Sequence, residues 1–112
     1  MVFYKDTSEY YLDLSEILFF EAQDTTVFAH TRNDVYKVKS KLYQLEDTLP
    51  DGFIRVSKST ILNADKVFSL ERHITSFSTV EFSGTHKQVF VSRNYLKSLT
   101  SRLDERRNHH EI

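Results

Sequence analysis

Val27-Phe28-Ala29-His30-Thr31-Arg32-Asn33-Asp34-Val35-Tyr36-Lys37-Val38 decides how this chain folds. Two β-prone runs, Val27-Phe28-Ala29-His30 and Val35-Tyr36-Lys37-Val38, flank the polar Thr31-Arg32-Asn33-Asp34. Short strands about a four-residue polar loop read as an antiparallel hairpin. On its N-terminal side, Ile17-Leu18-Phe19-Phe20 is a short continuous apolar run, suited to a strand buried on both faces. Tyr10-Tyr11-Leu12-Asp13-Leu14 alternates like a further strand. On the C-terminal side the period changes. Val38, Leu42, Leu45 and Leu49 form one helix stripe, with Ser40 as N-cap and Pro50-Asp51-Gly52 as stop. Phe53-Ile54-Arg55-Val56 returns to a strand. Ser57-Lys58-Ser59-Thr60 reads as a loop with one helical turn, running into Ile61-Leu62-Asn63. Lys66-Val67-Phe68-Ser69-Leu70 and Thr79-Val80-Glu81-Phe82 are strands joined by a polar turn around Glu71-Arg72-His73. Ser83-Gly84-Thr85 is a tight turn before the last strand, Gln88-Val89-Phe90-Val91. Ser92 then caps a helix whose face is Leu96, Leu99 and Leu103. The charged tail, residues 104–112, is expected to fray. The expected fold is mainly β: short, mostly antiparallel strands with one mid-chain helix and one C-terminal helix.

The chain has 112 residues, one domain's worth, with the tail set apart as residues 105–112 from a domain over residues 1–104. Two Gly and one Pro in a 39% apolar chain exclude disordered and collagen-like classes. The absence of Cys removes disulfide scaffolds, thiol catalysis and Cys-ligated zinc. No apolar run approaches the roughly 20 residues of a membrane helix, and the N-terminus lacks a signal-peptide pattern. The expectation is a soluble, cytoplasmic protein. The net charge of −1 hides a polarised chain. Residues 1–24 carry −5 and residues 84–103 carry +4, the latter from Lys87, Arg93, Lys97 and Arg102 without an acid. Such polarity can present a basic face to an anionic partner.

Gly52 and Gly84 are too few for a phosphate-cradling loop or a dinucleotide fingerprint. The five histidines show no helical zinc spacing, and His109-His110 lies in the tail, where solvation is expected. No catalytic constellation is visible, so the chain is read as a non-enzyme without cofactor, metal or small-molecule substrate. Three polar segments remain. Glu21-Ala22-Gln23-Asp24-Thr25-Thr26 follows the apolar run, Ser57-Lys58-Ser59-Thr60 follows the central strand, and Ser92-Arg93-Asn94-Tyr95 opens the last helix. Hydroxyls and helix N-terminal N–H groups hold phosphate. Arg93 can pair with guanine O6 and N7, and Lys58 can do part of that work. Gln23 suits adenine, and Asp24 can accept from cytosine N4. Lys87 and Lys97 lie close enough in sequence to Arg93 to neutralise phosphates. A plain structural role stands beside each: Ser92 as a cap, Arg93 paired with a distant acid, Ser57 and Ser59 as ordinary loop polars. The alternating aromatics read as core rather than as a base-stacking platform.

An ordered set of short words carries more. Glu16-Ile17-Leu18-Phe19-Phe20-Glu21-Ala22 is followed by Val27-Phe28-Ala29-His30-Thr31 and by Lys41-Leu42-Tyr43-Gln44-Leu45-Glu46. Leu49-Pro50, Phe53-Ile54-Arg55-Val56-Ser57-Lys58-Ser59 and Ile61-Leu62-Asn63 come next, and then the run from Gly84 through Val91-Ser92-Arg93-Asn94-Tyr95-Leu96-Lys97. This order strongly resembles the LytTR (LytR/AlgR-type) DNA-binding domain of bacterial transcription regulators, over roughly residues 3–103. The resemblance implies sequence-specific binding of double-stranded DNA for transcription control. Loops rather than a helix-turn-helix would enter successive major grooves, with two copies pairing on tandem imperfect repeats and bending the DNA. It implies base contacts from Arg93, Lys58, Gln23 and Asp24. It implies phosphate contacts from Ser57, Ser59, Asn94, Lys87, Lys97 and Thr25. The acidic Asp24 in a short first loop and the net charge of −1 depart from that pattern. The N-terminal receiver domain of many family members does not fit within this length, leaving a free-standing protein or an excised domain. The competing reading is a small β-rich protein-interaction or sensor module working through its acidic N-terminal segment (Glu9, Glu16, Glu21).

Overall fold

The computed structural model describes residues 1–74 and 76–110, with side chains through Arg107. The side chains of His109 and His110, expected to be solvated, and residues 111–112 of the tail lie outside the described residues. Ten strands and two α-helices follow in the order β1 (Phe3–Lys5), β2 (Ser8–Tyr10), β3 (Phe19–Gln23), β4 (Thr26–His30), β5 (Val35–Val38), α1 (Leu42–Thr48), β6 (Phe53–Ser57), β7 (Thr60–Asn63), β8 (Val67–Glu71), β9 (Ser78–Phe82), β10 (Gln88–Val91) and α2 (Arg93–His110). Single 3-10 turns cover Leu14–Glu16 and Ala64–Lys66. The larger sheet has the strand order β2-β1-β5-β4-β3-β7-β6, the smaller β10-β9-β8, and the pairs are antiparallel.

The mainly β, two-helix expectation holds, and the hairpin over residues 27–38 is present with Val27 opposite Val38 and His30 opposite Val35. Several details differ, among them the start of β3, which lies at Phe19 and not at Ile17. Tyr11-Leu12-Asp13 is not strand, because the chain turns at Asp13, whose N–H donates to the Glu16 carboxylate and whose carbonyl accepts from Glu16 N–H. Val38 belongs to β5 and only its burial is shared with the helix stripe. Lys41, not Ser40, precedes the first residue of α1, and Gln44 Oε1 accepts from its N–H at 2.8 Å. Ser57-Lys58-Ser59-Thr60 forms no helical turn: Ser57 pairs with Thr60, and Lys58-Ser59 is the tip of a β-hairpin. The last helix extends past residue 104 and continues to His110. Arg106 fastens its later turns by donating to the carbonyls of Ala64 and Val67.

Two cores lie on opposite faces of the larger sheet. On one face Phe3, Ile17, Phe20, Ala29, Tyr36, Val38 and Ile61 pack with Leu42 and Leu45 of α1. On the other, Leu18, Phe19, Val56 and Leu62 pack with Val80, Phe82, Val89 and Val91 of the smaller sheet and Leu99 of α2. Burying one such Leu or Phe contributes about 1.5–3 kcal/mol. An exposed pair such as Arg102–Glu105 contributes about 0–1 kcal/mol, so packing and not ion pairing joins the layers. The buried Asn63 is satisfied, donating to Ile17 O at 3.1 Å and accepting from Asp65 N–H at 3.1 Å. In the Phe53-to-Asn63 word, Asn63 is therefore a structural clasp.

Candidate nucleic-acid interface

The registers give the molecule two ends. β3 ends at Gln23 opposite Thr26, and β7 begins at Thr60 opposite Glu21. The β3–β4 and β6–β7 turns therefore protrude from the same end, side by side. Ala22 N–H donates to Ser59 O at 2.8 Å and joins them. The smaller sheet is aligned with this end by the 2.9 Å bond from Ser92 N–H to Val56 O. Val91 lies opposite Ser78, so the β10–α2 junction and the β8–β9 loop share the end too.

Each turn has a local cause. Asp24 holds φ 54°, a left-handed conformation that Asp tolerates better than most residues, and Asp24-Thr25 closes β3–β4 in two residues. Lys41 Nζ donates to Thr25 O at 2.9 Å and steadies the tip from the start of α1. The β6–β7 turn is braced from behind by Arg55, whose guanidinium donates to Ser57 O at 2.7 Å, to Lys58 O and to Glu46 at 3.3 Å. Ser57 Oγ accepts from Ser59 N–H at 3.2 Å and lies 3.4 Å from Ser59 Oγ. Lys58 is thereby held outward at an ordered tip. At the helix start, Ser92 Oγ donates to Val56 O at 3.4 Å, while Ser92 O accepts from Tyr95 N–H at 3.0 Å. Arg93 and Asn94 follow, both exposed, and Lys97 is exposed one turn further on.

The expected site residues Gln23, Asp24, Thr25, Ser57, Lys58, Ser59, Arg93 and Asn94 thus gather on one edge, with Lys97 just behind it. Among the described residues, the side chains of Lys58, Arg93, Asn94 and Lys97 have no intramolecular ion pair or hydrogen-bond partner. Gln23 Nε2 donates to Glu21 at 3.2 Å across the surface of β3. Lys87 is elsewhere. It lies at the start of β10, opposite in direction from Arg93, and its ammonium donates to Thr31 O at 2.8 Å and Asp34 O at 3.0 Å. Burial lowers its pKa, against the opposing pull of Asp34. A four-residue strand, about 13 Å long, lies between Lys87 and Arg93.

Arg55 is a positioning residue that sequence reasoning missed, although its place two residues before Ser57 in a polar-tipped strand was a usable signal. Phe77 and Phe90 depart from the all-core reading of the aromatics. They are 44% and 59% exposed, with ring centroids 4.6 Å apart. Together with Ser57, Ser59, Thr60 and Ser92 they line a shallow cleft of about 310 Å³ beside the edge. Of the acids of the interaction-module alternative, Glu9 on β2 and Glu21 on β3 share one cross-strand row of the larger sheet, with Tyr4, Lys37 and Phe28 between them, while Glu16 stands apart in a 3-10 turn.

Beneath the far end lies His30, stacked on Phe19 with centroids 4.2 Å apart. Among the described residues its ring nitrogens have no hydrogen-bond partner, although Glu21 Oε1 lies 3.6 Å from Nε2. Burial, reinforced by the charge of Lys87, pushes its pKa down to about 4.

Comparison with known proteins gives the following. The family model described as the LytTr DNA-binding domain matches residues 8–104. A Staphylococcus aureus protein (strain bovine RF122 / ET3-1), described as an uncharacterized HTH-type transcriptional regulator, is 35% identical over 103 residues, covering 92% of this chain and 69% of its own length. A counterpart in strain NCTC 8325 / PS 47 is 34% identical over the same coverage. The solved LytTr DNA-binding domain of a methyl-accepting/DNA response regulator from Bacillus cereus superposes with a TM-score of 0.83. It is 21% identical and covers 92% of this chain and 94% of that one, a likeness of fold. The relatives' description as HTH-type has no counterpart in this architecture, since five strands separate α1 from α2.

Proposed function

This chain belongs to the LytTR DNA-binding domain family, and on that premise we propose that it regulates transcription by reading a specific duplex sequence with its protruding loops. The observation that carries the reading is the shared edge. Two tight β-ribbons and a helix start meet there, and Lys58 and Arg93 are left without partners among the described residues. A two-stranded ribbon fits the major groove, which is about 12 Å wide. Arg93 pairs with guanine O6 and N7, and Lys58 reads from the neighbouring tip. Gln23 and Asp24 meet the bases beside them. Ser57, Ser59, Thr25, Asn94 and Lys97 hold phosphates and set the register. Two copies occupy tandem imperfect repeats and bend the DNA between them. Lys87 is left out of this set, because two of its three ammonium donors hold Thr31 O and Asp34 O at the other end of the sheets.

The test is fluorescence anisotropy with a duplex of about 30 base pairs enriched by the protein from a randomised pool, which spans two helical repeats with flanks. A scrambled duplex of equal composition serves as control, each in a salt series. A preference for the enriched duplex and a steep loss of affinity with salt are expected. Failure to enrich any duplex, with flat binding at all salts, would remove the proposal. A stoichiometry of two chains per enriched duplex tests the pairing.

A further inference from the structure

The segment Val35-Tyr36-Lys37-Val38-Lys39-Ser40-Lys41 has a lysine at every second position from Lys37 onward. Along β5 this period buries Tyr36 and Val38 and exposes Val35 and Lys37. Lys39 continues the exposed row just past the strand, and Lys41 stands at the start of α1. Lys39 Nζ sits 4.7 Å above the Tyr4 ring, and Lys41 Nζ reaches Thr25 O at the β3–β4 tip. The row thus runs along the face of the larger sheet that also carries Tyr4 and Phe28, toward the loop edge, and meets it at Thr25.

Its charge is not neutralised by neighbours. Lys37 pairs in register with Phe28 on one side and Tyr4 on the other. The first acids along that row are Glu9, opposite Tyr4, and Glu21, opposite Phe28, each two strands away, about 10 Å by strand spacing. Among the described residues no carboxylate lies within ion-pair distance of Lys37, Lys39 or Lys41, whereas Lys5, Arg55 and Arg102 each have one. The position matters as much as the charge. β5 lies beyond β4, on the side of the β3–β4 turn away from the β6–β7 turn. A duplex lying across the loops passes next over this side.

We propose that Lys37, Lys39 and Lys41 form a phosphate rail that grips duplex DNA flanking the segment read by the loops. The rail contributes affinity and no sequence information, since an ammonium on a phosphate sees the same group at every step. It rests on the DNA-binding reading above. It also meets a difficulty in the sequence, the low overall charge, by concentrating basic groups beside the loops.

The test uses the full chain with Lys37→Gln and Lys39→Gln together, leaving Lys41 to hold Thr25. Binding is measured on the enriched and scrambled duplexes in a salt series, with a thermal melt as folding control. Each phosphate that is no longer neutralised makes the dependence of log K on log salt shallower by about 0.9, so a decrease approaching 2 is expected on both duplexes. The ratio of the two affinities should stay constant, and the Lys37→Arg/Lys39→Arg pair should keep the wild-type slope. If the folded glutamine variant keeps that slope while wild type binds with preference, the rail is refuted and the loop reading stands. A changed affinity ratio at constant slope would likewise overturn it. If wild type shows neither preference nor salt dependence, both readings fall together.

Discussion

The two ends of the sheets hold similar numbers of basic side chains and use them differently. At the loop end, Lys58, Arg93 and Lys97 are exposed and have no partner among the described residues. At the far end, Lys87 caps the carbonyls of Thr31 and Asp34, Arg32 donates to Ser83 O at 2.8 Å, and Lys5 pairs with Asp34. These contacts clasp the β4–β5 loop to the β9–β10 turn and so hold the smaller sheet on the larger. Basic residues near one another in sequence therefore do two jobs, and their bonding partners separate them where charge counting does not. At the far end the basic groups hold the two sheets together, and at the loop end they stand open to solvent.

The largest expected effect falls on the far end and comes from acid. His30 has a folded-state pKa of about 4, below its ordinary 6.5, so folding favours the neutral ring. Its contribution is present above pH 6.5 and is lost as pH falls toward 4. Thermal melts should show stability declining through that window. His30→Phe, which keeps a ring against Phe19, should flatten the decline. An unchanged profile in the variant would assign the acid sensitivity to other groups.

Next in size is Arg93→Ala, which should cost about 1–3 kcal/mol of binding to the enriched duplex and relax one base position. Its melting temperature should stay at the wild-type value, since exposed substitutions shift stability by about 0.5 kcal/mol or less. Lys87→Ala sharpens the contrast from the other side. It leaves two carbonyls without their charged donor, at a cost of about 1–2 kcal/mol in stability, with the enriched-to-scrambled ratio unchanged. Smallest is Lys97→Ala, which should lower the salt slope by about 0.9 on both duplexes alike. A selective loss on the enriched duplex would make Lys97 a base reader instead.

The sequence made much of this legible because local pattern and final burial agree. Alternation marked β4, β5, β9 and β10, and three leucines marked the buried side of α2. It failed where a single interaction outvoted the pattern. The Asp13–Glu16 contact ends a segment that alternates like a strand. Arg55, two residues before Ser57, turns a polar stretch into a hairpin tip rather than a helical turn. Arg106 carries α2 beyond its leucine stripe. The loops of the candidate site were visible as polar interruptions. Their meeting on one edge, and the diversion of Lys87 to the other, depend on strand direction and register, which no local window contains. The lysine row from 37 to 41 was open to view as a period of two, yet its importance rests on where β5 lies in the sheet.

The most direct test of the central claim sets Arg93→Ala and Lys87→Ala side by side in one anisotropy and melting experiment on the enriched and scrambled duplexes. The account predicts that Arg93→Ala loses the preference and keeps its stability, while Lys87→Ala loses stability and keeps the preference. Two variants that fail in the same way, or with the roles exchanged, would contradict the division of the molecule into a reading end and a holding end.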